Sequence, residues 1–333
     1  MAEIVRYVNP ASTAGGDGTT NATSGASRAY ASLSECEANE QADFVTATNN
    51  LVIKCVAGTD TTFCLFDGST TSATYDIRIE PDSGSDHAGV IGAGYEMVVD
   101  QATFGALYIN DDNITIYGIQ ITNTNGTAGA YGILCGGANM TLERCYVKGG
   151  SEGTTSAVLL ANTGPVCRSC VFDNSGAYGA GAADWVDAVF EWCGAYGNAV
   201  GFNRDGTNGT NATATCCVAY NGSFADWFGT KWSGSYNASS DSSEIGTNPI
   251  TTDIVSGDFV NAAGGDYNLA SGSTLIDAGI SSGRPALDFA GNSWATNDVG
   301  PFAAISGKKP FGHQCLDNQQ SPIAASRING VLQ

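Results

Sequence analysis

Five acidic and two basic side chains lie between residues 184 and 231: Asp184, Asp187, Glu191, Asp205 and Asp226, with Arg204 and Lys231. Two of the acids sit in a repeated Asp-Trp pair, Asp184-Trp185 and Asp226-Trp227, and Trp192 and Trp232 lie close by. These residue types suit carbohydrate chemistry. Two carboxylates at a fixed separation hydrolyse a glycosidic bond, one as acid and the other as base or nucleophile. A Lys or Arg base beside carboxylate-held calcium removes the proton next to a uronate carboxylate. Trp185, Trp192, Trp227 and Trp232 would supply flat apolar faces for sugar rings. Each scheme needs its groups on outward positions of adjacent elements, along one face.

The elements that must position them form a repeat. Aligning NITIYGIQITN (113–123), NMTLERCYVKG (139–149), PVCRSCVFDNS (165–175), AVFEWCGAYGN (188–198) and ATATCCVAYNG (212–222) puts Ile119, Cys145, Cys170, Cys193 and Cys217 in one column. The spacings are 26, 25, 23 and 24 residues. Flanking columns agree: Ile121, Val147, Phe172, Ala195 and Ala219 follow by two, and Ile116, Leu142, Cys167, Phe190 and Ala214 precede by three. A further pair of columns reads Leu107/Ile109, Ile133/Cys135, Val158/Leu160, Gly181/Ala183 and then Asp205/Thr207, where it decays. Each coil thus carries three short alternating segments, which are strands with one face buried. Such strands are stable only when identical coils stack and share a core. The reading is an all-β, right-handed parallel β-helix, with coils of about 23–26 residues and a short N-terminal capping helix.

The columns assign roles to several polar residues. Glu143, Arg168 and Glu191 fall two before the cysteine column on successive coils, as an outward salt-bridge ladder. Asn123, Asn174 and Asn221 fall four after it and read as an asparagine ladder at a turn. The column cysteines read as small buried hydrophobes. With 11 cysteines, two histidines and a single CxxC, the chain lacks the partners for a four-ligand zinc site, and no metal is expected outside a calcium-dependent lyase.

Charge narrows the partners. A formal net charge of -20 with only 13 Lys and Arg excludes a phosphate-neutralising surface, so neither nucleic acid nor anionic membrane is expected as a partner. The opening MAEIVRYVNP carries no basic segment followed by an apolar run, so no signal peptide is expected there. YASLSECEANEQADF (30–44) reads as the capping helix, with Leu33, Cys36 and Phe44 turned inward and Ser32–Glu35 as a capping box.

The coils resemble the right-handed parallel β-helix proteins of the pectate-lyase-like superfamily. DYNLASGSTLIDAGI (266–280) and DFAGNSWATNDVGPF (288–302) are similar to the terminal module many of them carry, with Thr274 and Leu275 where Pro and Ala are usual, and Pro301 where Ala is usual. The resemblance spans roughly residues 45–303 and implies architecture rather than activity, because this fold hosts lyases, hydrolases, tailspikes and inert virion parts. The Gly-His-Gly and Arg-Ile-Lys segments of its polygalacturonase branch are absent. The chain divides into an N-terminal segment with the capping helix (1–44), a solenoid body (45–245), a closing module (246–303) and an extended tail (304–333). The tail carries Lys308, Lys309 and His313 and reads as an arm that docks on a neighbouring subunit.

The expected function is that of a structural virion protein of a tailed phage, a head decoration or a fibre- or spike-like component, with glycan binding as an added capacity. Its partners would be other virion subunits, further copies of itself, or polysaccharide. Two alternatives stand beside it. One is a polysaccharide lyase or glycoside hydrolase using Asp184, Asp187, Glu191, Asp226 and Lys231, and the other is a secreted or surface-exposed bacterial adhesin.

Overall fold

The computed structural model describes residues 2–151, 155–173, 178–182, 187–204 and 211–304. Three parallel sheets, of nine, seven and seven strands, run side by side along the solenoid. In one coil the chain passes through sheet 1 (Ile114–Tyr117), sheet 2 (Gln120–Asn123) and sheet 3 (Tyr131–Cys135), then returns to sheet 1 one rung further on. Each rung pairs with the next in parallel, so the strands share one interior.

Sheets 1 and 2 keep the register that the periodicity predicts. Ile116, Leu142, Cys167, Phe190 and Ala214 stack in sheet 1, and Ile121, Val147, Phe172, Ala195 and Ala219 in sheet 2. Sheet 3 departs from it. Val158 and Leu160 pair with Ala180 and Ala182, not Gly181 and Ala183, and the next rung is Phe202 and Arg204, not Asp205 and Thr207. The stretch between sheet 3 and sheet 1 grows by one residue before Cys193 and by three before Cys217. A fixed offset from the cysteines therefore slips.

That slip hid what fills the last coils. Where sheets 1 and 2 carry Ala195, Ala214 and Ala219, the interior is occupied by Phe202 and Trp227 of sheet 3, packed with Phe172 of sheet 2 and Phe190 of sheet 1. Phe202 stacks on Trp227 with ring centroids 4.4 Å apart, and Trp232 meets Trp227 edge-on at 5.4 Å. Rings from sheet 3 compensate for alanines on the facing sheets, keeping the core close-packed.

Two residues join sheet 1 to sheet 2. In the five coils from Gly118 to Cys217 the first is left-handed: Gly118, Arg144, Ser169, Trp192 and Cys216 have φ between 47° and 63°. The second is the cysteine column. A non-glycine residue in this conformation costs about 1–2 kcal/mol. The turn repays part of that through its backbone, because each left-handed N–H bonds the next coil, as Arg144 does to the Arg168 carbonyl at 2.9 Å and Trp192 to that of Thr215 at 3.0 Å. The same corner accounts for the thiols. Cys193 Sγ donates to the carbonyls of Cys167 (3.3 Å) and Glu191 (3.4 Å), and Cys217 Sγ to those of Phe190 (3.4 Å) and Thr215 (3.5 Å). An alanine would fill the corner without donating. Ten cysteines, all those described, are buried free thiols, and burial pushes that of Cys193 well above its ordinary range.

The left-handed residues throw their side chains outward, and the C-terminal segment covers them. Residues 275–303 run back along this flank as a strap. Gly300 N–H donates to the Cys216 carbonyl (2.8 Å), Trp192 Nε1 to that of Asp298 (3.1 Å), Ser169 Oγ to that of Leu287 (3.3 Å) and Arg144 Nε to that of Asp288 (2.9 Å). At the far end Phe289 stacks on His87, centroids 4.5 Å apart. The acidic residues of the terminal module tie its own turns. Asp298 accepts from Asp277 N–H (2.9 Å) and Ala304 N–H (2.7 Å), and Asp288 from Asn292 N–H (2.6 Å) and Ala303 N–H (3.0 Å). A Cβ at Gly300 (φ +95°) would stand 2.8 Å from Val218 Cγ1, so the strap lies this close only with glycine there. A hairpin of Phe259–Asn261 and Asp266–Leu269 covers the outer face of sheet 2, with Tyr267 stacked on Tyr196 at 3.8 Å.

At the other end, helix α1 (Leu33–Glu40) covers the open interior, with Leu33 and Cys36 buried. Ser32 Oγ accepts from Glu35 N–H at 3.0 Å, whereas the Glu35 carboxylate turns to Ala31 N–H (2.7 Å) and Gly15 N–H rather than back to Ser32. Phe44 is buried too, but as the first residue of a separate helix, α2 (Phe44–Ala47). The asparagine column is interrupted in the sequence, and its Asn174 lies outside the described residues. Asn123 donates to the carbonyls of Gln101 (3.0 Å) and Tyr131 (2.9 Å), and the glycines at 149 and 197 interrupt the column. An amide-to-amide rung occurs at another turn, between Asn139 and Asn113 (3.3 Å).

Candidate functional site

The residues proposed for catalysis do not converge. Glu191 pairs with Arg168 Nε at 2.7 Å across adjacent rungs of sheet 1, one rung of the expected ladder, while Glu143 joins no ion pair among the described residues. Asp187, exposed at the turn entering sheet 1, accepts Gly164 N–H from the preceding coil at 2.8 Å. Half-buried Lys231 enters the same sheet two rungs further on. Asp226 lies elsewhere, in sheet 3 at its corner with sheet 2, and is fully buried. Its carboxylate accepts from Gly222 N–H (2.8 Å) and from the N–H and hydroxyl of Ser240, which clips together two turns. Burial raises its pKa, the Ser240 and Gly222 hydrogen bonds opposing. Asp184, Trp185 and Asp205 lie outside the described residues, as do Lys308, Lys309, His313 and the tail from residue 305 onward.

Burial corrects the stacking platforms. Trp192 is 0% exposed and Trp227 4%, so neither offers a ring face to a sugar. Trp192 occupies a left-handed turn position and is sealed under the strap, with Trp294 against its edge at 6.4 Å. Trp227 points inward because strand alternation pairs it with Phe202, and its Nε1 donates to the Ala238 carbonyl at 3.1 Å. Trp232 is half-buried and packs on the same interior rings. The core column, by contrast, is where the sequence placed it: Ile119, Cys145, Cys170, Cys193 and Cys217 are all 0% exposed.

Of the candidate carboxylates, Asp187, Glu191 and Asp226 each accept a hydrogen bond from a protein donor, and among the described residues no three His, Cys, Asp or Glu side chains gather to hold a metal. No described helix is long and apolar enough to cross a membrane.

A different face stands out. The outward row of sheet 3 reads Leu65, Tyr108, Leu134, Leu159, Gly181, Asn203 and Phe228, one residue per rung and without a charge. Six steps of about 4.8 Å make it roughly 29 Å long. Aromatic pairs stand at two points on it. Phe104, 52% exposed, stacks parallel on Tyr108 at 5.4 Å, and Phe224, 73% exposed, leans on 41%-exposed Phe228 at 5.7 Å. Sequence reasoning missed these residues because the slipped register of sheet 3 left Asn203 and Phe228 in no column. The legible signal was Phe202-Asn203, whose alternation continues that of Ala180-Gly181.

No protein-family description and no curated protein matches this chain. Solved structures do. The chain is similar to a pectate lyase, Pel9A, with a TM-score of 0.51 and 14% identity over 90% of this chain and 96% of that one. A Dettilon tailspike protein aligns with a TM-score of 0.39 and 14% identity over 70% of this chain and 50% of that one, so this chain spans half of the tailspike's length. At such identity the first likeness speaks to fold alone.

Proposed function

For a chain with the pectate-lyase-like parallel β-helix fold, we propose a structural, glycan-engaging role: sheet 3 holds an extended saccharide along its outer face without cleaving it. The observation that carries this reading is the uncharged outward row with its exposed aromatic pairs. Exposed rings that bury no core surface are what a sugar-binding face requires. The described candidates for acid–base work support the non-catalytic part, since Asp187, Glu191 and Asp226 each serve a turn or a rung. A rigid, acidic rod of this kind suits a tailed-phage particle, as a head decoration or a fibre- or spike-like component.

The test is a glycan array that includes polyuronates and neutral polysaccharides, read for binding, with parallel incubations read for unsaturated or reducing-end products. Binding without product supports the proposal. Release of products from any of these polymers overturns it.

A further inference from the structure

The far end of the strap meets the solenoid around an imidazole. His87, buried in the loop from residue 82 to 94, stacks on Phe289 of the strap with ring centroids 4.5 Å apart. Its Nδ1 accepts Gly89 N–H at 2.8 Å, and its Nε2 donates to the Arg144 carbonyl at 2.8 Å. A neutral ring with its proton on Nε2 makes both bonds, and no other form does. Loop and strap touch where Gly89 (φ +80°) faces Ala290, so closely that a Cβ on Gly89 would stand 2.6 Å from Ala290 Cβ. The Arg144 guanidinium spans the joint. It donates to the carbonyls of Asp288 (2.9 Å) and Phe289 (3.3 Å) on the strap and to the Asp86 carboxylate (3.0 Å) on the loop, with the Tyr117 hydroxyl of sheet 1 beside it. Further along, the strap is held by Trp192 Nε1 on the Asp298 carbonyl and by Gly300 N–H on that of Cys216, bonds in which neither partner titrates.

A proton added to Nδ1 turns that atom from acceptor into donor against the Gly89 N–H, and it sets a second positive charge beside Arg144. We propose that the tip of the strap is an acid-released latch: protonation of His87 parts residues 287–292 from loop 82–94, while the solenoid and the other strap anchors stay in place. The groups around the ring fix the direction. Burial is the largest influence and holds the His87 pKa below its ordinary value; the Arg144 charge acts in the same sense, and the Arg144 carbonyl and Asp86 oppose. The closed tip therefore takes up this proton less readily than the open one, and the latch opens as the pH falls below about 6.5, the ordinary value of a free imidazole. Asp288, next to Phe289 on the strap, cannot drive the opening. Burial raises its pKa, so its protonation favours the closed tip. The latch lies on the turn flank, away from sheet 3, and does not depend on the glycan-engaging reading.

The experiment is hydrogen exchange of the full chain at pH 7.5 and pH 5.5, corrected for the intrinsic pH dependence of exchange. Opening at residues 86–92 and 286–292 is expected to rise about tenfold at the lower pH, with no change in the sheet 1 rungs from Ile116 to Ala214. His87→Gln is expected to remove the pH dependence. Gly89→Ala forces a Cβ into Ala290 at a left-handed position and is expected to open the tip already at pH 7.5. The chain has two histidines, so His313→Gln leaves His87 as the sole imidazole, and its NMR titration midpoint is expected below about 6.5. Equal exchange of the tip at both pH values overturns the latch, as does a pH effect that persists in folded His87→Gln. Exchange that rises equally in the sheet 1 rungs would mean general loosening and also overturns it. A midpoint at or above the ordinary value does so even where His87→Gln or Gly89→Ala fails to fold.

Discussion

The flank at the left-handed turns and the outer face of sheet 3 are built by the same coils, yet the chain treats them in opposite ways. On the turn flank each coil throws out a side chain, and the strap receives it with a carbonyl or a ring: Arg144 at Asp288, Trp192 at Asp298, His87 under Phe289. On sheet 3 a comparable row of uncharged residues ends in phenylalanines 41% and 73% exposed. Apolar surface that the protein needs for its own stability is covered by its own chain. The exposed phenylalanines at the two ends of the sheet 3 row are where the proposed glycan would rest.

The comparison is most sharply broken at Trp192. Trp192→Ala deletes a fully buried indole and frees the Asp298 carbonyl, so it is expected to destabilise the protein by about 3–5 kcal/mol in urea unfolding. Glycan binding below the melting transition should survive. Loss of binding in a variant that stays folded would mean that the two regions are not independent.

Phe228→Ala probes the other side. It removes exposed surface, so stability should change little, but affinity should fall by about 2 kcal/mol, roughly 30-fold. Unchanged affinity would move the binding face away from sheet 3.

A pH-dependent effect follows at the strap's far end. His87 Nδ1 accepts Gly89 N–H and its Nε2 faces the Arg144 carbonyl at 2.8 Å, an arrangement that the neutral ring satisfies. Burial holds its pKa below the ordinary value. Its contribution is therefore complete above about pH 6.5 and is lost as the pH falls below that, where the unfolded chain takes up the proton first. Asp226 and Asp288 act in the opposite sense, because burial raises their carboxyl pKa and their contributions fade as the pH rises. The observable is the stability difference between the wild type and His87→Gln. It should shrink on going from pH 7 to pH 5, and a constant difference would refute the assignment.

The smallest effect is expected on sheet 1. Glu191→Ala breaks a rung pair whose side chains are 38% and 22% exposed, so stability should change by about 1 kcal/mol or less. Glycan affinity should not change. A large loss of affinity would return Glu191 to the candidate site.

The fold was legible because the cysteine column and its neighbours repeat at nearly constant spacing wherever the linking turn has fixed length. Between sheets 1 and 2 that turn is always two residues, from Gly118-Ile119 to Cys216-Cys217, and the registers of both sheets follow from it. The candidate face was not legible, because the path from sheet 3 to sheet 1 changes length and slides Phe202 and Asn203 out of a fixed-offset alignment. The Asp-Trp pairs drew attention by composition. Asp226 and Trp227 owe their types to packing, one clipping turns and the other filling space that Ala214 and Ala219 leave. The strap's role was hidden for another reason: its contacts join residues more than a hundred positions apart, such as Trp192 and Asp298, and no local pattern marks them.

Side-chain footprinting of the native protein, with and without a bound glycan, bears most directly on the division between a covered flank and an open face. The account predicts that Phe104, Tyr108, Phe224 and Phe228 are labelled in the free protein and protected in the complex, while Trp192 and Phe289 stay unlabelled throughout. Protection on the Glu143–Arg168–Glu191 row instead, or ready labelling of Trp192 and Phe289 in the free protein, would contradict it.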